Sequence, residues 1–203
     1  MTAYTNLKTI FPYAIAMGFI YIATLYLGYL VGVTTPVVAQ AQAANFQATQ
    51  GNMITAQSSY IQVLLIFLTN TGIGMIMMML GYMVAQATGM WVGTLIMAPI
   101  QAYKTGAIMA HIGSMTSKGP SFLLVAILPH GILELSASFL AMGIGLMLGY
   151  HISMKRCEDP QYQGTAMIKK WWNVYYKLII PMYFVAALIE VYITPVLIYA
   201  ALH

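Results

Sequence analysis

Read from the N-terminus, the chain alternates long apolar runs with short polar breaks. A helix needs about 20 predominantly apolar residues to cross a bilayer. Five runs approach or exceed that length, at 10–33, 60–85, 90–113, 121–150 and 174–200. The pattern predicts an all-α protein, a polytopic transmembrane bundle of about five spans, with 1–203 forming a single transmembrane domain. The third run is the least uniform, because Gln101 and Lys104 interrupt it; a re-entrant or tilted segment is the alternative there. The first run is longer than the roughly 7–15-residue core of a signal peptide. It therefore reads as a retained span, although "VVAQAQA" at 37–43 loosely offers a cleavage site.

The fourth run carries its own punctuation. Pro129 removes a backbone donor and disfavours helical geometry at Leu128, and Gly131 follows closely. The expectation is a span kinked at Pro129, or broken into a short piece at 121–128 and a helix that starts near Pro129. A broken helix at membrane mid-depth would turn free backbone amides toward whatever lies there.

Composition sharpens the class. Hydrophobic residues make up 61% of the chain and charged residues 6%, against about 45–50% and about 25% in soluble domains. The mean hydropathy is +0.79. A net charge of +4 and a pI near 9.1 would suggest nucleic acid in a soluble protein. Here the basic residues flank apolar runs, so anionic lipid and topology account for them and nucleic acid is not expected. Cys157 is the single cysteine, which excludes an internal disulfide, and no Cys/His spacing points to zinc or redox chemistry.

Basic residues near span ends set orientation. Lys155, Arg156, Lys169 and Lys170 fall in the segment 151–173, with Lys177 just beyond, and Lys8 precedes the first run. The segment 34–59 is uncharged, and 114–120 has only Lys118. Five spans put the two basic regions on one side. The expectation is a multi-pass cell-membrane protein with a cytoplasmic N-terminus and an external C-terminus. "MIKKWWNVYYK" at 167–177 has the composition of an interfacial anchor for anionic lipid headgroups, and a docking patch for an envelope protein partner is the minority reading. The 34–59 connector is either a short helix over the outer face or a plain polar link.

Small residues recur at helix-packing spacing, at Gly28 and Gly32, at Gly89 and Gly93, and at Ala141, Gly145 and Gly149. Packing within the bundle is the default use of such ridges, and a homo-oligomer interface is the lesser one. The seventeen methionines read as lipid-facing or gap-filling.

The candidate chemistry lies in the polar residues that the spans retain. Of four acidic residues, Glu158 and Asp159 fall in the polar segment, while Glu134 and Glu190 sit in mid-span, where each costs about 2.5–3.5 kcal/mol to insert. Counting rise per residue from the span centres puts Asn70, Lys104, Glu134 and Glu190 at one level, within roughly one helical turn. His130 lies one turn further out on the same face as Glu134. A lysine between two carboxylates, with an amide and an imidazole nearby, is a coherent polar centre. If Lys104 pairs with Glu134, truncating the acid would strand the lysine and cost a few kcal/mol. One imidazole and two carboxylates can ligate a divalent cation, and a nearby Lys104 would repel one. The sequence leaves a metal open and indicates no cofactor. The bland alternative is that these groups only tie the bundle together.

"LPHGILEL" at 128–135 resembles the Pro-His-Gly-x-x-Glu signature of the stage II sporulation protein M family. Two further features are similar: Asn70 within "IFLTNTGIG", and Glu190, Thr194 and Pro195 within "ALIEVYITPVL". The resemblance covers roughly 60–200 and implies a multi-helix membrane protein whose shared polar centre includes His130, Glu134, Glu190 and Asn70. Pro129, Gly131, Thr194 and Pro195 support it. The namesake works with peptidoglycan-degrading partners during engulfment, and many relatives occur in organisms that form no spores. Where the family pattern leads one to expect an Asn before a glycine, this chain has Lys104-Thr105-Gly106. The resemblance implies a scaffold or partner subunit in an envelope or membrane-remodelling complex. The residues themselves offer a second reading, a channel or transporter for a small cation or proton. Catalysis is the weakest reading, because neither HExxH nor a nucleophile–base arrangement is present.

Overall fold

A computed structural model of the chain describes residues 3–48, 57–115 and 120–202. Lys118 and the stretch 49–56 of the connector lie outside the described residues. The elements are α1 (Ala3–Thr34), α2 (Pro36–Phe46), α3 (Ser59–Thr88), α4 (Gly93–Ser114) and α5 (Pro120–Glu158). The last rod follows as α6 (Thr165–Val174), α7 (Ile180–Leu188) and α8 (Thr194–Leu202). Two π-helical turns, Tyr175–Ile179 and Ile189–Ile193, join its pieces.

Among the described residues, four helices are long and apolar enough to cross a membrane, over Leu7–Thr34, Ser59–Thr88, Val125–Glu158 and Thr165–Ala200. α4 occupies the place of the expected third run as one uninterrupted helix of 22 residues. It is less apolar than the other four, since Gln101 and Lys104 remain in it. α4 lies along α1, and the short α2 folds back onto both. The connector therefore forms a helix after Pro36, which supplies the fixed φ of a first helical residue.

α5 does not break at Pro129. Helical backbone runs without interruption from Pro120 to Glu158, eight residues past the expected end. In lipid a broken helix would expose backbone groups that nothing solvates, a larger cost than the lost proline bond and ring crowding that a continuous helix must absorb. α5 is also the central helix. It contacts α1, α3, α4 and the last rod, and its apolar window has twice the buried share of any other span.

Small residues set how closely α5 is approached. A Cβ on Gly145 would stand 2.5 Å from the Met77 carbonyl oxygen of α3 and 2.7 Å from Thr94 Oγ1 of α4. Thr94 donates to that same Met77 carbonyl at 3.1 Å. Gly28 meets the Tyr103 backbone and Gly106 the Leu25 backbone, drawing α1 onto α4. Gly89 serves differently: it ends α3 in the left-handed region, φ 73°, which glycine tolerates without strain. Methionines fill both roles expected of them. Met17, Met78, Met142 and Met147 are buried between helices, and Met83, Met115 and Met154 face outward.

The basic end is tied together locally. Arg156 donates to the carbonyl of Gln86 near the end of α3, and the Gln86 amide donates to the Gln163 carbonyl. Tyr82 hydroxyl reaches the same carbonyl at 3.2 Å. Lys155 pairs with Glu158 at 2.8 Å on the exposed helix end.

Candidate functional site

On α5, His130, Glu134 and Ser138 follow one another at intervals of four and form a polar ridge on one face. Facing them is the second π-helical turn of the last rod, which contains Glu190. Local sequence explains that turn. Proline lacks an N–H, and its ring clashes with the carbonyl four residues earlier. For Pro195 that residue is Val191, inside the turn Ile189–Ile193. For Pro181 it is Lys177, inside the turn Tyr175–Ile179. Widening the helix relieves both clashes, and such turns recur at functional positions.

His130, Glu134 and Glu190 each bring one donor atom to within 4.8 Å of the others. They stand on a cavity of about 510 Å³ whose wall also includes Asn70 of α3 and Lys104 of α4. All five residues singled out from the sequence thus border one space. Gly131 contributes to its wall as well. Thr194 is buried behind it, and Pro195 is exposed. Pro129 is half-buried within α5.

Of the two states open to the glutamates, neutral or paired with Lys104, the ion pair is not made. Lys104 is exposed, and the only ion pair among the described residues joins Lys155 to Glu158. Sequence counting places α4 at the right depth, but it cannot set the rotation of the helix about its axis. That rotation leaves Lys104 exposed and unpaired with either glutamate, although it borders the same cavity. Among the described residues neither Glu134 nor Glu190 has a hydrogen-bond or ion-pair partner, so the two carboxyl groups border the cavity without a neutralising side chain.

His130 is held by a short relay. Its Nδ1 lies 3.2 Å from Thr194 Oγ1, and the Thr194 hydroxyl donates to the Ile189 carbonyl at 3.3 Å. A hydroxyl has a single proton to give. With that proton directed at Ile189, Thr194 accepts from Nδ1–H, and Nε2 is left as the bare lone pair. The carbonyl of Ile189 opens the same π-helical turn that carries Glu190.

Several wall residues were not anticipated from the sequence. Ser138 bonds to Tyr183 hydroxyl at 3.0 Å, and both border the cavity. A Cβ on Gly74 would stand 2.6 Å from that tyrosine hydroxyl, so the glycine makes room for it. Ser138 continues the spacing of His130 and Glu134 and was open to detection on that basis. Tyr21 of α1, Thr105 of α4, and Gln42 and Asn45 of α2 also border the space, and no local pattern marks them. Every long helix therefore contributes a polar group, and α2 adds Gln42 and Asn45.

A family model described as Stage II sporulation protein M matches residues 9–195. The match reaches further than the roughly 60–200 carried by the motifs and takes in the first span. No curated protein and no solved structure matches the chain.

Proposed function

We propose that this chain, which belongs to the stage II sporulation protein M family, is a multi-pass membrane protein that takes up a small cation or a proton in its intramembrane cavity. One observation supports this above the others: Glu134, Glu190 and His130 converge to within 4.8 Å, and among the described residues no basic side chain is paired to either acid. Holding two acids in an apolar slab is costly, and bringing them together adds mutual repulsion. Their approach is favourable only if a positive charge joins them. The cavity gives a cation room beside them, and exposed Lys104, Asn45 and Ile112 border the same space as the two acids. In the topology set by the basic residues, Asn45 and Ile112 lie toward the outer face.

The test is ion or proton flux into vesicles reconstituted with the purified protein. Native protein is expected to carry a flux that Glu134→Gln with Glu190→Gln abolishes. Equal leak in both preparations overturns the reading. Cys157 tests the orientation: it is exposed, and it is the single cysteine of the chain. An impermeant maleimide should label it in inverted vesicles and spare it in intact cells. Labelling in intact cells reverses the topology.

The family resemblance supports a second reading, a scaffold or partner subunit in an envelope complex, and α6 is the feature that favours it. This short helix is amphipathic, with Trp171 and Val174 buried and Lys169, Lys170 and Trp172 exposed. Lys170 Nζ sits 5.0 Å over the Trp171 ring. Such a face suits anionic headgroups or an acidic protein surface. Crosslinking in native membranes through photoreactive groups at Lys169 and Trp172 should capture a protein partner. Recovery of lipid adducts alone rejects the scaffold reading.

A further inference from the structure

We infer that His130, Glu134 and Glu190 form a binding site for one divalent transition-metal ion, held by an imidazole nitrogen and two carboxylate oxygens. This rests on the cation-uptake reading and deepens it by naming the class of cation.

Three features of the cluster carry the argument. The first is distance. Two donors bound to one ion at about 2.0–2.2 Å each stand at most about 4.4 Å apart. The three donor atoms already lie within 4.8 Å of one another, so closing on an ion needs only a small side-chain movement. The second is donor chemistry. Two carboxyl groups beside an imidazole can release two protons in exchange for one dication, which leaves the loaded site neutral, whereas an alkali ion compensates only one of them. An imidazole among the donors favours Zn²⁺, Mn²⁺, Fe²⁺ or Co²⁺ over Mg²⁺ or Ca²⁺, which prefer all-oxygen sites.

The third feature is the relay behind His130. Metal-bound histidines commonly donate their other ring N–H to a fixed acceptor, which sets the tautomer and aims the lone pair. Thr194 and the Ile189 carbonyl do this for His130, at 3.2 Å and 3.3 Å. Glu134 adds an independent indication: it is largely buried, makes no hydrogen bond or ion pair, and borders the cavity. Lys104, the cation that shares the cavity wall, is exposed and pairs with neither glutamate among the described residues. With three protein donors, an ion would keep its remaining coordination positions toward the cavity, as open metal sites do.

The experiment uses the full chain in lipid nanodiscs, stripped with a chelator and titrated with Co²⁺ and then Zn²⁺. The expected result is saturable uptake of one ion per chain, with the visible absorption of Co²⁺ in a low-symmetry nitrogen–oxygen site. Glu134→Gln and Glu190→Gln preserve shape, and each should weaken binding at least tenfold while size-exclusion profile and helicity stay native. Thr194→Val should weaken binding by about 10–100-fold with the stoichiometry unchanged, as loss of an outer-shell partner does. No saturable uptake, or equal uptake by the Glu134→Gln, Glu190→Gln double variant, overturns the site. Flux measured on the same preparations separates the two proposals. Glutamate-dependent proton flux without metal uptake rejects the metal site and leaves the cavity reading standing. Glutamate-dependent metal uptake without flux supports the site and rejects transport.

Discussion

The two ends of α5 are built on opposite principles. From 141 to 149 every residue is buried, while from 125 to 140 only Gly131 and Ala137 are. The sealed end carries Ala141, Gly143, Gly145 and Gly149, which let neighbouring backbones touch: Gly143 meets Ala14 of α1, and Gly145 and Gly149 meet α3. Without bulky side chains in the way, helices in lipid gain dispersion contact over their whole length. The other end carries His130, Glu134 and Ser138, and there the helices stand apart around a cavity of about 510 Å³. One rod thus acts as a clamp at one end and as the wall of a polar chamber at the other. The clamp makes the chamber affordable, because groups that oppose packing persist only where other contacts hold the bundle together.

Breaking the clamp should do the most damage. Gly145→Val places side-chain atoms against the Met77 carbonyl and Thr94, and neither neighbour can retreat. The expected loss is about 3 kcal/mol or more, seen as a collapsed thermal midpoint or aggregation on size exclusion. A midpoint near native would mean that the helices are looser there than described. At the chamber the sign should reverse. Glu134→Gln removes an unpaired acid and should stabilise the metal-free protein by about 0.5–2 kcal/mol. A lower midpoint in chelator would reveal a partner for Glu134 and contradict the missing ion pair.

Smaller effects sharpen the contrast. Thr194→Val deletes the His130 contact and should cost about 1 kcal/mol, measured in the same thermal assay; an unchanged midpoint would leave the relay without energetic weight. Gly131→Ala should fall within about 1 kcal/mol of native, because a Cβ there meets only Ile127 Cγ2 at 3.0 Å and alanine improves helix propensity. A loss as large as that of Gly145→Val would erase the distinction between the two ends. Glu158→Ala breaks an exposed ion pair and should leave the midpoint unchanged.

Much of this organisation was legible in the residue order. The four strongly apolar helices follow from run length, and the special status of Glu134 and Glu190 follows from their placement among residues that exclude charge. Other features were not legible. Of the two outcomes expected at Pro129, a kink or a break, α5 excludes the break and runs on as helix, because the strength of a proline signal depends on what would solvate the broken ends. The disruption fell on the last rod, where Pro181 and Pro195 each sit two residues after a π-helical turn. Lys104 was expected between the acids and is exposed on the cavity wall, paired with neither. The roles of Tyr21 and Tyr183 in the wall depend on helices far away in the chain.

The residue order alone determined that this chain folds as helices in a membrane, and roughly where each one runs. In lipid every backbone amide must find its partner within its own segment, so that decision is local. Only the tertiary structure decided which faces meet, where the bundle closes and where it gapes, and which charges are left without partners. Those outcomes depend on the rotation of each rod about its axis, which is settled by contacts between residues distant in sequence.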